Sequence, residues 1–263
     1  MMRTAIVTGG SSGIGRCTAR ALRDSGCTVY ELSRRNSAED GIMHLKADVT
    51  DEEQVLSAVS TVLRSEGRID ILICCAGFGI SGAAEFTENT DAKRLLDVNL
   101  FGTVNAVKAV TPAMRDQHSG RIVCISSVAA PVSIPFQAWY SVSKAAVCSY
   151  VMALREELRP FGISVCAVMP GDIRTGFTAA REKSCVGDDI YGGRIARSVA
   201  VMEKDELGGM APEKAGRVIC AKALKKRVKP MYAVGLQYSA VVVLSRLLPS
   251  ALVSYIVGRL YGG

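Results

Sequence analysis

Short, nearly unbroken apolar runs alternate along this chain with longer stretches in which apolar residues recur every three to four positions. The short runs Thr4–Thr8, Thr28–Leu32, Met43–Ala47, Ile69–Cys74, Arg121–Ile125 and Ser164–Met169, with a later one at Met231–Val234, are predicted strands. The longer stretches, about 14–25, 51–66, 91–117 and 138–160, are predicted helices. A strand that is apolar on both faces needs cover on both, and repeated β-α alternation supplies it. The expected architecture is therefore a doubly wound, mainly parallel, seven-stranded α/β sheet in a single domain spanning 1–263. Thr50-Asp51-Glu52-Glu53 places a hydroxyl cap and then acids at a helix start, where the helix dipole favours negative charge.

Two regions break the pattern. Residues 171–210 are glycine-rich and mixed in charge, long for a connection, and are expected to form a loop over the substrate. Residues 236–263 form an apolar C-terminal extension: Met231–Ser245 is fifteen residues without a charge, and Leu244, Leu247, Leu248, Ala251, Leu252, Tyr255 and Ile256 recur at helical spacing. Neither this run nor Leu247–Gly258 reaches the roughly 18 residues a bilayer span requires. Three readings stay open for it: a helix packed over the substrate site or a subunit interface, an interfacial membrane anchor, or ordinary core.

Composition narrows the function. With 263 residues, 49% hydrophobic and 22% charged, the chain can bury a sizeable core without disulfides or a structural metal, and low-complexity disorder is excluded. Nine cysteines, odd in number and without metal-ligand spacing, read as small buried hydrophobes in a reducing compartment. With His44 and His118 as the only histidines, zinc chemistry and a Ser-His-Asp triad lack the residues they need, so no metal is expected. A strand beginning at Thr4 leaves no room for a leader, and a cytoplasmic location is expected. The net charge of +7 would suit nucleic acid, an anionic membrane or a phosphorylated ligand. No nucleic-acid motif or aromatic stacking platform accompanies it, which removes the first of these.

The candidate chemistry begins at Thr8-Gly9-Gly10-Ser11-Ser12-Gly13-Ile14-Gly15, between the first strand and the first helix. Gly9, Gly13 and Gly15 let the backbone turn tightly and approach a pyrophosphate whose charge the helix N-terminus meets. Cys75-Ala76-Gly77, Asn99, Ser127, Tyr140 with Lys144, and Pro170-Gly171 follow in an order and spacing that resemble the short-chain dehydrogenase/reductase family over about residues 3–235. The resemblance implies a Rossmann fold, a nicotinamide cofactor, reversible carbonyl reduction and a homodimer or homotetramer. It also implies cofactor contacts from Gly9, Ser11, Ser12, Gly13, Ile14 and Gly15 at the phosphates, and from Asp48 and Val49 at the adenine. Cys75, Ala76 and Gly77 would meet the ribose, and Pro170, Gly171, Ile173 and Thr175 the nicotinamide end. Asp48 reads equally as a cap for the turn that follows it. The family's Asn-Asn-Ala-Gly is Cys74-Cys75-Ala76-Gly77 here, without the two amides.

The second strand ends Tyr30-Glu31-Leu32-Ser33-Arg34-Arg35. Ser33 stands where NAD-using relatives carry Asp, and the Arg34 guanidinium can grip a 2′-phosphate, so NADP(H) is the expected cofactor; Glu31 is expected on the other face of the strand.

Carbonyl reduction needs hydride at carbon and a proton at oxygen. Tyr140 is the candidate acid, and Lys144, one helical turn on, lies on the same face, where an ammonium would lower the phenol from its usual pKa of about 10. Ser127, 13 residues before Tyr140, would hold the substrate oxygen, with Ser126 the neighbour most easily confused with it. The resemblance adds a hydrogen bond from Lys144 to the nicotinamide ribose, pro-S hydride transfer, and a water held by the Asn99 backbone that links Lys144 to solvent.

Candidate substrate walls are Phe78, Ile80, Ala129, Ile134, Phe136, Trp139, Phe177 and Tyr191, mainly apolar. The expected substrate is a lipophilic ketone or secondary alcohol, such as a steroid, bile acid, retinoid or fatty-acyl derivative. Alternatives are 3-ketoacyl-carrier reduction and a non-catalytic NADP(H)-sensing protein; the latter would not require Ser127, Tyr140, Lys144 and Asn99 together. Lys225-Lys226-Arg227-Val228-Lys229, just before the apolar tail, faces either anionic headgroups or solvent.

Overall fold

The computed structural model describes residues 2–35 and 39–262. In chain order the elements are β1 (Thr4–Thr8), α1 (Gly13–Asp24), β2 (Thr28–Ser33), β3 (Ile42–Lys46), α2 (Glu52–Glu66), β4 (Ile71–Cys74), β5 (Ile80–Ser81), α3 (Asn89–Leu96), α4 (Gly102–Asp116), β6 (Gly120–Ile125), α5 (Ala138–Leu158), β7 (Ile163–Pro170), α6 (Phe177–Ala180), β8 (Glu182–Lys183), α7 (Arg194–Leu207), α8 (Pro212–Leu224), β9 (Met231–Val234), α9 (Leu236–Leu247) and α10 (Ser250–Tyr261). Seven strands form one sheet in the order β3-β2-β1-β4-β6-β7-β9, and each neighbouring pair is parallel.

The unbroken apolar strands are explained by what covers them. Side chains alternate across the sheet, so Ile6, Leu72, Ile122 and Val165 enter one core while Val7, Ile73, Val123 and Cys166 enter the other. Helices α2, α4 and α5 cover the first face, and α1 packs on α8 over the second. The strand order reverses between β1 and β4, and in such sheets the crevice beyond the carboxyl ends at that point is where ligands bind.

Local chemistry adjusts several expected boundaries. The cap of α2 comes from Asp51, which accepts the Gln54 N–H at 3.0 Å, while the Thr50 hydroxyl turns back to Asp48 at 2.8 Å. The single helix expected over 91–117 is α3 and α4 joined by a π-turn at Asp97–Phe101, a local insertion that hydrophobic periodicity does not register. Residues 171–210 contain α6, β8 and α7; the left-handed glycines Gly187, Gly192 and Gly193 punctuate the segment, and α7 buries Ile195, Ser198, Val199 and Met202. Helix α8 was not expected, because its buried face is mostly small, with Ala215, Gly216 and Ala223 beside Ile219 and Cys220. All nine cysteines are free; seven are buried as expected, but Cys75 is half-buried and Cys185 is exposed. Among the described residues no helix is long and apolar enough to cross a membrane, and no three His, Cys, Asp or Glu side chains gather as a metal site would need.

Candidate active site

The turn after β1 is built around close backbone approach. Gly9 has φ +67°, and a Cβ there would lie 2.8 Å from Ala76 Cα, while a Cβ at Gly15 would lie 2.2 Å from the Gly9 carbonyl oxygen. Ser12 opens α1 without using its side chain as a cap, and the first turn carries no acid. The helix N–H groups therefore face the crevice unneutralised, as an anion requires. The Thr8 hydroxyl accepts the N–H groups of Cys75 (3.1 Å) and Ala76 (3.3 Å). It anchors the end of β4 where the resemblance would have placed amide side chains.

At the adenosine end, Arg34 and Arg35 are exposed and line the cavity with Ser33, Asp48 and Val49. No acidic side chain pairs with Arg34 among the described residues. Glu31 does not point away from Ser33. Two residues apart on one strand, they share a face, and the Ser33 hydroxyl donates to Glu31 at 3.2 Å. Glu31 is buried beneath Gly10 and contacts His44. The Asp48 carboxylate caps the turn, accepting the Thr50 N–H at 3.0 Å, and the residue also lines the cavity.

The π-turn carries Asn99 into the interior, where it is 1% exposed. Its amide clamps the main chain of Phe78, accepting from the N–H and donating to the carbonyl, each at 3.0 Å, and donates to Ser143 at 3.1 Å. A Cβ at Gly77 would meet both Asn99 Oδ1 (2.9 Å) and Lys144 Nζ (3.5 Å), so these groups flank the glycine.

Ser127, Tyr140 and Lys144 converge on the same cavity. Ser126 is committed elsewhere, its hydroxyl donating to the Lys144 carbonyl at 2.8 Å, whereas Ser127 Oγ accepts the Ala129 N–H at 3.1 Å and faces the Tyr140 hydroxyl. Lys144 Nζ donates to the Ile125 carbonyl at 3.1 Å and lies 5.7 Å from the centre of the Tyr140 ring. Burial lowers the Lys144 ammonium and holds the Tyr140 phenol up, to about 12, with the Ser127 hydroxyl pulling the other way. The expected lowering of Tyr140 by Lys144 is therefore not what this structure shows: desolvation of the buried phenol outweighs the effects that would lower it.

A profile of the short chain dehydrogenase family matches residues 3–185. The chain belongs to the short-chain dehydrogenase/reductase family. It is 41% identical over 224 residues to a 3-ketodihydrosphingosine reductase of Bacteroides thetaiotaomicron, covering 84% of this chain and 83% of that one. The structure of a short-chain dehydrogenase from Streptomyces avermitilis superposes with a TM-score of 0.84 at 29% identity, covering 98% of both chains. ElxO with NADP bound superposes with a TM-score of 0.75 at 25% identity, over 91% of this chain and 100% of that one. This dehydrogenase is accordingly an oxidoreductase that works with a nicotinamide cofactor.

The family match stops before the substrate side is complete. One cavity of about 920 Å³ joins the dinucleotide cleft to a chamber walled by α9 and α10, through Val241, Leu244, Val257 and Leu260. Of the expected walls, Phe78, Ala129, Ile134 and Phe177 line it, but Ile80, Phe136, Trp139 and Tyr191 do not. Phe136 and Tyr191 instead meet edge to face, 5.5 Å between centroids, and the Tyr191 hydroxyl donates to Glu85 at 2.6 Å, which ties the 171–210 segment down.

Two polar side chains that line the dehydrogenase's cavity, Glu206 and Tyr238, were not expected from the sequence. Arg181 is buried and paired with Glu206, whose other oxygen accepts the Thr178 hydroxyl at 2.6 Å. Tyr238 of α9 lies against Gly171 and donates to Asp172 at 2.5 Å. In sequence these are ordinary charged and aromatic residues, with no spacing to mark them.

Proposed function

We propose that this dehydrogenase is an NADPH-dependent reductase of a long-chain, lipid-like ketone, reversible as a secondary alcohol dehydrogenase. The observation that carries the reading is the continuity of the cavity, from the glycine turn through Ser127, Tyr140 and Lys144 to the apolar chamber of α9 and α10. The similarity to a 3-ketodihydrosphingosine reductase favours a long-chain keto substrate over the other lipophilic ketones. Choice of NADPH rests on Arg34, free of any acidic partner among the described residues, and on Ser33 in place of an acid.

The crevice suits a dinucleotide because its backbone occupies the space that side chains would take at Gly9 and Gly15. Gly9, Ser11, Ser12, Gly13, Ile14 and Gly15 would hold the phosphates, Arg34 the 2′-phosphate, Asp48 and Val49 the adenine. Cys75, Ala76, Gly77, Pro170, Gly171, Ile173 and Thr175 would hold the ribose and nicotinamide. When bound, NADPH supplies the hydride that reaches the carbonyl carbon. Ser127 would orient the carbonyl oxygen, and the Tyr140 phenol would give it a proton, so that one hydride at carbon, carrying both electrons, and one proton at oxygen make up the alcohol formed. Lys144, fixed by Ile125, and the π-turn at Asn99 support the Tyr140 face of the cavity and the route by which its proton is replaced.

The outer faces of α9 and α10 belong to the same reading. Leu236, Val243, Leu247 and Tyr255 are exposed, residues 236–263 contain two arginines and no acid, and Arg246 reaches Met231, two residues beyond Lys229. This apolar, basic surface fits the headgroup region of an anionic bilayer. Partial insertion of four such side chains at about 1 kcal/mol each gives reversible attachment, not anchorage.

The test is a spectrophotometric screen of NADPH oxidation with long-chain 3-ketones against steroid, bile-acid and retinoid ketones. Turnover of the long-chain ketones at least tenfold above the ring compounds is expected; turnover confined to the ring compounds refutes the substrate assignment.

A further inference from the structure

The cavity is lined by four carboxylates, and three of them are spoken for. Asp48 is at the adenosine end and caps Thr50. Glu182 is paired with Arg94 at 2.9 Å, and Glu206 with the buried Arg181. Asp172 is different. Among the described residues no Lys, Arg or His side chain forms an ion pair with it. Its side-chain partner is the neutral Tyr238 hydroxyl, at 2.5 Å.

The carboxylate is also held in place. The Asp172 carbonyl accepts the Met210 N–H at 2.9 Å, and the Tyr238 ring covers Gly171 so closely that a Cβ there would come within 2.3 Å of it. The segment bearing Ser127 is bonded to the start of this turn, the Val128 N–H donating to the Pro170 carbonyl at 3.0 Å. Asp172 thus lines the same cavity as Ser127 and Tyr140, on a turn bonded to the Ser127 segment, and shares it with the Val and Leu side chains of α9 and α10.

A carboxylate in such a place is under-satisfied. It can accept about four hydrogen bonds, the Tyr238 hydroxyl and its own N–H reach it, and burial still pushes its carboxyl group up, against the Tyr238 bond and with Asp205 adding to the effect. Arg181 acts on it only from a distance, being paired with Glu206, so a cation brought in by a ligand removes that cost by direct contact.

We infer that Asp172 is the specificity residue for a protonated amino group one or two carbons from the substrate carbonyl, so that this dehydrogenase reduces long-chain amino ketones in preference to neutral ones. The inference rests on the long-chain ketone reading above and names the polar group that the chamber selects.

The experiment compares kcat/KM of the NADPH-loaded enzyme for three ketones of equal chain length: a 2-amino-3-ketone, its N-acetyl derivative, and the 3-ketone without nitrogen. The wild-type enzyme is expected to favour the amine roughly 10- to 100-fold, the range of a hydrogen bond to a charged group. Asp172→Asn should collapse that ratio to within about threefold, and Tyr238→Phe should narrow it less. Equal turnover of all three ketones by the wild-type enzyme overturns the assignment without reference to any variant. So does a loss in Asp172→Asn that falls equally on the three, since that marks a structural role. If no long-chain ketone is reduced while a ring ketone is, the underlying substrate reading has failed instead, which is a distinguishable result.

Discussion

At the carboxyl end of β1 the site is made almost wholly of main chain: glycines at 9, 13 and 15, free N–H groups of α1, and the β4 end pinned by the Thr8 hydroxyl. At the other end of the same cavity the site is made of side chains from three distant places, the turn after β7, helix α7, and the α9–α10 pair. Main-chain recognition dictates residue type at each position, because one Cβ in the wrong place fills the site. Side-chain recognition leaves residue type free so long as shape and charge are met. The first kind suits a dinucleotide common to a whole family, and the second suits a substrate particular to one member.

Ser127, Tyr140 and Lys144, the proposed catalytic residues, lie at the junction, and breaking it there should have the largest effect. Tyr140→Phe is expected to lower kcat for ketone reduction by about a thousandfold while leaving NADPH affinity, read by fluorescence titration, within about threefold. Activity within tenfold of wild type would remove Tyr140 as the acid. Because burial holds the phenol up at about 12, it stays protonated through neutrality. Reduction should therefore vary little between about pH 6 and about pH 9, whereas alcohol oxidation, which needs the phenolate, should rise nearly tenfold per pH unit over that range.

On the cofactor side, Arg34→Asp replaces an attraction to the 2′-phosphate with repulsion. The NADPH-to-NADH preference should fall about a hundredfold, with ketone selectivity unchanged. An unaltered cofactor ratio would place the 2′-phosphate contact elsewhere. The substrate side should show the smallest effect. Leu247→Glu with Tyr255→Glu changes two exposed positions, 75% and 66% accessible, and should reduce co-sedimentation with anionic phosphatidylglycerol vesicles about fivefold without lowering thermal stability. Unchanged sedimentation refutes the membrane reading. Absence of wild-type sedimentation, with the variant dissociating an oligomer in light scattering, shows that a second copy covers the face instead.

How much of this was legible in the sequence follows the same division. Strands β1 and β9 fall on their expected residues, and the other sheet strands begin or end within two residues of expectation, since a strand covered on both faces must be apolar throughout. The glycine turn was readable because it meets a local geometric demand, and Ser127, Tyr140 and Lys144 because their order and spacing together resemble the family's. Asn99 was placed in the right stretch, but the π-turn that buries it was not foreseen: the apolar period on either side is undisturbed. Glu31 was assigned to the wrong face, although the two-residue period of the strand already placed it with Ser33.

By itself, the sequence determined the parallel sheet, the glycine turn on its carboxyl edge, and the candidate catalytic residues. These rest on periodicity and on backbone requirements a few residues long. Only the tertiary structure decided that α9 and α10 close a chamber, that Phe136 and Tyr191 brace a loop rather than meet a substrate, and that Tyr140 is raised rather than lowered. It alone brought Tyr238 to Asp172 across 66 residues of chain. Such features depend on which distant side chains exclude water from one another, and no local pattern records that.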